Sequence, residues 1–139
     1  LVETSCRNAI HASGIADKSK AIEVSVLLCG NDFIQNLNKE YRGQDKPTNV
    51  LSFPSEELAA GKYDDIAEYN MLGDIAVALE TIVAEAAEQN KDIKHHFCHM
   101  IVHGTLHLLG YDHIKDDEAE SMESLEISIL EDMGIGNPY

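Results

Sequence analysis

Apolar residues recur along this chain with two periods, and the switches between them divide it into elements. Val2, Cys6, Ala9 and Ile10 fall at helical spacing, and the stretch ends near Gly14, which predicts a helix over residues 2–12. From Ala21 to Cys29 the apolar Ile22, Val24, Val26 and Leu28 alternate with Glu23 and Ser25, the pattern of a strand. Gly30-Asn31-Asp32 then supplies a cap for a helix that carries Phe33, Ile34, Leu37 and Tyr41 on one side and runs to about Tyr41. Pro47 and Pro54 bracket Val50-Leu51-Ser52-Phe53; prolines cannot donate to a ladder, so this strand is expected to be short or near an edge. Residues 55–70 have neither period and are assigned to a loop. Met71 to Ala78 is a further strand, interrupted by Gly73, and the Ala- and Glu-rich stretch from Leu79 to Gln89 is a helix that stops at Asn90. Asp92 caps a helix from Ile93 to Leu109, ended by Gly110 in the left-handed conformation. A last helix begins at Asp116-Asp117, with Ala119, Met122, Leu125, Ile129, Leu130 and Met133 as its apolar stripe and Gly134 and Gly136 closing it. The order of elements predicts an α+β fold: a single small domain over residues 1–139, with a mixed sheet of about four strands packed with helices.

Composition supports one packed domain, with 44% hydrophobic and 25% charged residues in a chain of 139. No apolar run approaches the ~20 residues that cross a bilayer, and no basic stretch precedes an apolar block at the start, so membrane and secretory roles are not expected. The chain opens on Leu1 rather than methionine, which fits a trimmed or processed product. Cys6, Cys29 and Cys98 are odd in number and form no C-x-x-C pair; a reducing cytoplasm fits best. The formal charge of −15 opposes polyphosphate at long range. Residues 112–132 hold nine acids (Asp112, Asp116, Asp117, Glu118, Glu120, Glu123, Glu126, Glu131, Asp132) against Lys115 alone, and these acids are assigned to the solvated face of the last helix.

The chemistry concentrates in His103-Gly104-Thr105-Leu106-His107-Leu108-Leu109-Gly110-Tyr111-Asp112-His113. At ~3.6 residues per turn, His103 and His107 share one helix face, and Gly110 lets the chain turn so that His113 approaches the same point. With seven His in 139 residues, three at these offsets arise by chance about 0.02 times per sequence. Three neutral imidazoles suit Zn²⁺ and leave a fourth position open, as in catalytic sites. On the same helix His95 and His96 are expected at the surface, His99 packed or supporting a ligand, and Cys98 buried. Asp112 is either a turn residue or a group that orients a ligand or moves a proton. The spacing H-x-x-x-H-x-x-G-x-x-H is that of the metzincin metalloproteases, whose general-base Glu is replaced here by Gly104; a standard metzincin mechanism is therefore not expected.

Three blocks in order, Tyr41-Arg42-Gly43-Gln44-Asp45-Lys46-Pro47-Thr48-Asn49-Val50-Leu51-Ser52-Phe53-Pro54, Leu72-Gly73-Asp74-Ile75, and His103 to His113, resemble the YbeY endoribonucleases, bacterial ribosomal RNA maturation factors. The resemblance covers about residues 31–139. It implies that His103, His107 and His113 hold zinc, that Arg42 is the basic residue needed for RNA cleavage, and that Asp74 lies near the site. Lys46, with Lys39, is a candidate for attracting phosphate, and Asp112 and His99 for supporting the ligands or the substrate. It further implies cleavage of single-stranded ribosomal RNA in maturation and quality control of the small ribosomal subunit, with one of that subunit's proteins and the Era GTPase as partners. The rival functions are a metzincin-like peptidase and a non-enzymatic assembly factor with a structural zinc.

Overall fold

The computed structural model describes residues 1–19 and 21–139. The elements follow in the order α1 (Val2–Ser13), a short 3-10 turn (Ile15–Asp17), β1 (Ala21–Cys29), α2 (Asn31–Arg42), β2 (Val50–Pro54), β3 (Tyr69–Ala78), α3 (Leu79–Glu88), α4 (Ile93–Leu108) and α5 (Asp116–Asp132). The sheet is mixed, in the order β1-β3-β2, with β1 parallel and β2 antiparallel to β3. It has three strands among the described residues rather than about four. The only segment left to supply another, residues 55–68, lacks alternation and forms just an isolated bridge between Ala59 and Lys62. The proline-bracketed β2 is an edge strand, where a missing donor costs the ladder nothing.

Helix α4 organises the core. From Phe97 to Leu108 every residue is buried except His103 and His107, which keep a partly open strip. Leu72, Ile75 and Val77 of β3 pack in one apolar cluster with Ile101, Val102 and Leu106 of α4, while Ala76 and Ala78 turn to the other face of the sheet and pack with Ile34 of α2 and Leu51. Gly104 sets how closely α4 meets the sheet. A Cβ there would lie 3.1 Å from Ile75 Cγ2 and 3.2 Å from both Ser52 Oγ and Val50 Cγ2. The Ser52 hydroxyl donates to the Gly104 carbonyl at 2.9 Å, fastening β2 to this helix.

Asp92 caps α4 as anticipated, accepting the His95 N–H at 3.1 Å. The start of α2 differs from expectation, because no side chain of its own caps it. Gly30 at the cap position has none to offer, and Glu80 at the head of α3 instead accepts the Asn31 N–H at 2.9 Å. At the other end of α4 the Tyr111 N–H returns to the Leu106 carbonyl and the Gly110 N–H to that of His107, a Schellman closure with Gly110 at φ 99°.

Glu126 corrects the expectation that the acids of α5 are all solvated: it is fully buried. Its carboxylate accepts from His99 Nε2 at 2.9 Å, from His103 Nδ1 at 2.6 Å and from the Tyr139 hydroxyl, so that polar bonds tie α5 to α4. Burial pushes its pKa up, but the bonds from His103 and His99 outweigh this and hold it at about 2.

Two outcomes follow from this packing. Gly110→Ala is expected to destabilise the chain by about 2–4 kcal/mol in urea unfolding, because it forces a side chain into a left-handed residue against a neighbouring backbone. A Cβ at Gly110 would lie 2.2 Å from the Leu58 carbonyl oxygen, whereas Gly136→Ala meets nothing within 4 Å and serves as the neutral control. For Glu126 the folded-state pKa lies below the unfolded value, so its contribution is complete above the ordinary carboxylate range and is lost as pH falls toward about 2. Urea midpoints of the metal-free chain should fall across that window, and Glu126→Gln should flatten this acid limb.

Candidate metal centre

The site is built by the end of α4 and the turn after it. His103 and His107 stand one helical turn apart on a partly open strip of the otherwise buried stretch from Phe97 to Leu108, and the Schellman closure at Gly110 brings the chain back so that His113 faces them. One ligand atom from each of the three imidazoles lies within 4.8 Å of the others. The ring centroids of His103 and His107 are 4.6 Å apart, those of His107 and His113 5.0 Å, and those of His103 and His113 5.5 Å.

Hydrogen bonds on the outer nitrogens assign which inner nitrogens carry lone pairs. His107 Nδ1–H donates to the Tyr111 carbonyl at 3.0 Å, and His103 Nδ1–H donates to Glu126 at 2.6 Å. In the neutral rings both Nε2 atoms are thereby left as acceptors, and they face each other at 3.0 Å. Two lone pairs at that separation repel unless a proton or a cation lies between them. Burial, then the fields of His103 and His113, lower the His107 pKa to about 4, so this imidazole is neutral and competent as a ligand at neutral pH. Converging neutral imidazole donors with carboxylate and carbonyl partners behind them fit Zn²⁺ or a similar borderline cation. His99, His103 and Glu126 also bring ligand atoms within 4.8 Å of one another, but there each contact is already an imidazole–carboxylate hydrogen bond, which orients His103.

A cleft of about 500 Å³ opens beside His107. Arg42, the last residue of α2, lines it together with Ser52 of the edge strand, Glu57, Asp112 and His107. Arg42 and His107 therefore line one concavity although they are sixty-five positions apart in sequence, and His107 is the imidazole of the trio that borders it. Asp112 borders the same space, and its Oδ1 accepts the His113 N–H at 2.7 Å, stiffening the turn that carries the third imidazole.

Other residues singled out by sequence lie elsewhere. Asp74 stands on the α2 face of the sheet, in a groove with Tyr41, Phe53 and Leu37, and does not line the metal cleft. Lys46 is exposed on the loop after α2; its carbonyl accepts from Asn38 Nδ2 at 2.9 Å, and it does not line the cleft either. His99 is buried against Glu126. His96, expected at the surface, is buried and bonded through Nε2 to Glu85 of α3 at 2.9 Å; His95 is exposed. Cys98 is buried. Glu126 is the site residue that sequence reasoning missed. Its signal was its position, four residues after Met122 and three before Ile129, on the apolar stripe itself. Gly104, where the metzincin base would stand, faces Ile75, Ser52 and Val50 of the sheet, so a longer side chain there would enter the core.

The family described as Endoribonuclease YbeY matches residues 1–134 of this chain. An Endoribonuclease YbeY of Colwellia psychrerythraea is 51% identical over 117 residues, which is 84% of this chain and 72% of that protein. One of Parvibaculum lavamentivorans is 45% identical over 140 residues, covering 99% of this chain and 76% of that protein. The solution structure of a Thermotoga maritima protein superposes with a TM-score of 0.62 at 29% identity, over 94% of this chain and 79% of the other. A match across nearly the whole sequence, on a fold that gathers the three imidazoles of the motif, shows that this chain belongs to the YbeY family.

Proposed function

We propose that this chain is a zinc-dependent endoribonuclease that cleaves single-stranded ribosomal RNA in maturation and quality control of the small ribosomal subunit. Its relatives are endoribonucleases by name, which supplies the reaction class, hydrolysis of RNA phosphodiester bonds. The observation that carries the reading is the convergence of His103, His107 and His113 beside a cleft that His107 and Arg42 both line.

His103, His107 and His113 would hold the ion, with Glu126 and the Tyr111 carbonyl keeping the first two rings in the tautomer that presents Nε2. Bound there, zinc supplies Lewis acidity toward a phosphoryl oxygen and acidifies water. Arg42 offers forked, permanently charged donors to the phosphate and opposes the charge that grows in the transition state. Asp112 holds the His113 turn from within the same cleft. The sheet-facing Gly104 leaves the peptidase reading without its base, and the cleft beside His107 favours a reactive rather than a purely structural ion.

The formal charge of −15 makes free RNA a weak ligand with strong salt dependence, so delivery on an assembling particle raises the effective concentration. A basic protein of the small subunit suits this acidic surface, and that ribosomal protein, the Era GTPase and the cytoplasm complete the proposal.

Elemental analysis beside RNA cleavage tests it. The wild-type chain should carry about one zinc and lose cleavage on chelation. His107→Ala should lose the metal. Arg42→Ala should keep metal and melting temperature while cleavage falls by about 10²–10³-fold. Cleavage unchanged in Arg42→Ala, His107→Ala and the chelated wild type would show that the nuclease is a contaminant.

A further inference from the structure

The outer edge of β2 has one open backbone donor, and it is at the wall of the metal cleft. Ala78 N–H donates to the Asn49 carbonyl and Ser55 N–H to that of Leu72, both at 2.9 Å. These bonds set the phase of the antiparallel ladder: Leu51 and Phe53 bond to β3, while Val50, Ser52 and Pro54 turn their backbone groups outward. The Val50 N–H is closed by Asn49 Oδ1 at 2.7 Å, and Pro54 has no N–H. Ser52 is left as the open donor of this strand. It is 9% exposed and lines the cleft with Arg42 and His107.

An outward amide with so little access to water gains from an acceptor. The pattern also selects what that acceptor can be. A peptide strand adding to this edge needs donors at alternate residues, and the flanking ones are closed or absent. A single anionic oxygen needs one. The cleft wall also carries Glu56, Glu57 and Asp112, which oppose a phosphate at distance, so short directional donors must hold it. We propose that the Ser52 backbone N–H binds a nonbridging phosphate oxygen of the RNA strand engaged by Arg42, as a neutral donor beside the guanidinium. This rests on the ribonuclease reading and adds a substrate contact to it.

Replacing Ser52 by its α-hydroxy analogue turns the amide into an ester. The change removes the N–H and keeps the hydroxyl bond to Gly104, while the Leu51 carbonyl becomes a weaker ester acceptor in the ladder to β3, a loss that the melting temperature reads separately. The comparison is the same chain made by the same suppression with serine at that position, both loaded with zinc. The ester should lower kcat/KM for a single-stranded oligoribonucleotide by about 10- to 100-fold, with metal content and melting temperature retained. The unaltered zinc-loaded chain gives a measurement that needs no variant: on titration with a 2′-O-methyl oligoribonucleotide, the ¹⁵N-serine spectrum should show the Ser52 amide proton moving downfield. An ester chain as active as its serine counterpart, or a Ser52 amide that stays in place while the neighbouring Ser55 amide moves, overturns this inference and leaves the ribonuclease reading intact. No cleavage by the serine chain itself overturns both.

Discussion

Two nitrogen lone pairs 3.0 Å apart form the constraint on which this structure turns. Left to themselves the rings of His103 and His107 would rotate apart, and they stay because each is held from behind, by Glu126 and by the Tyr111 carbonyl. Those partners are themselves fixed by the fold. Glu126 is immobilised by burial between α4 and α5, and the Tyr111 carbonyl by the Schellman closure at Gly110. The repulsion is therefore met by the packing of the whole helical layer, and a cation entering between the rings finds its donors already aligned. This explains why a carboxylate belongs in the core: with three donors in Glu126's pocket, its charge is compensated where a lone buried carboxylate would cost several kcal/mol, on the order of the ion-burial penalties seen in proteins.

Closeness of α4 to the sheet is the second determinant. Because Gly104 has no side chain, β2 approaches the metal helix closely enough for Ser52 to bond its backbone, and the edge strand becomes a wall of the cleft. Arg42 then reaches the same space from the helix on the other face of the sheet. The glycine that removes a metzincin-type base from the motif is thus also the residue that brings a strand edge close to the helix carrying His103 and His107. One substitution relative to that pattern changes both the proton chemistry available and the shape of the neighbouring surface.

Much of this was legible in sequence where the cause is local. The period-two stretch at Ala21–Cys29, the Asp92 cap and the histidine spacing on α4 depend on residues within a few positions of one another, and the structure has them where the pattern puts them. Features set by distant partners were not legible. Glu80 closes the start of α2 from forty-nine positions away, and Glu126 meets His103 across twenty-three. Composition assigned the acids of α5 to solvent as a block, although the stripe running through Met122 and Ile129 carried the contrary signal for one of them. Asp74 was drawn toward the site by its neighbours in sequence. Strand alternation, together with the irregular register near Val24 and Gly73, places it with Phe53 and Tyr41 on the opposite face.

Electrostatics gives the cleft its character. A chain of charge −15 gains nothing from long-range attraction to a polyanion, and Glu56, Glu57 and Asp112 around the opening sharpen that cost. The carboxylates act over distances that salt screens, whereas a guanidinium in contact with a phosphate acts at hydrogen-bond range and is screened little. A strand passing at random is repelled, while one already pressed into the cleft meets donors whose geometry is fixed before it arrives. On the function proposed above, discrimination comes from the repulsion that keeps unpresented RNA away as much as from the contacts that would hold a presented strand.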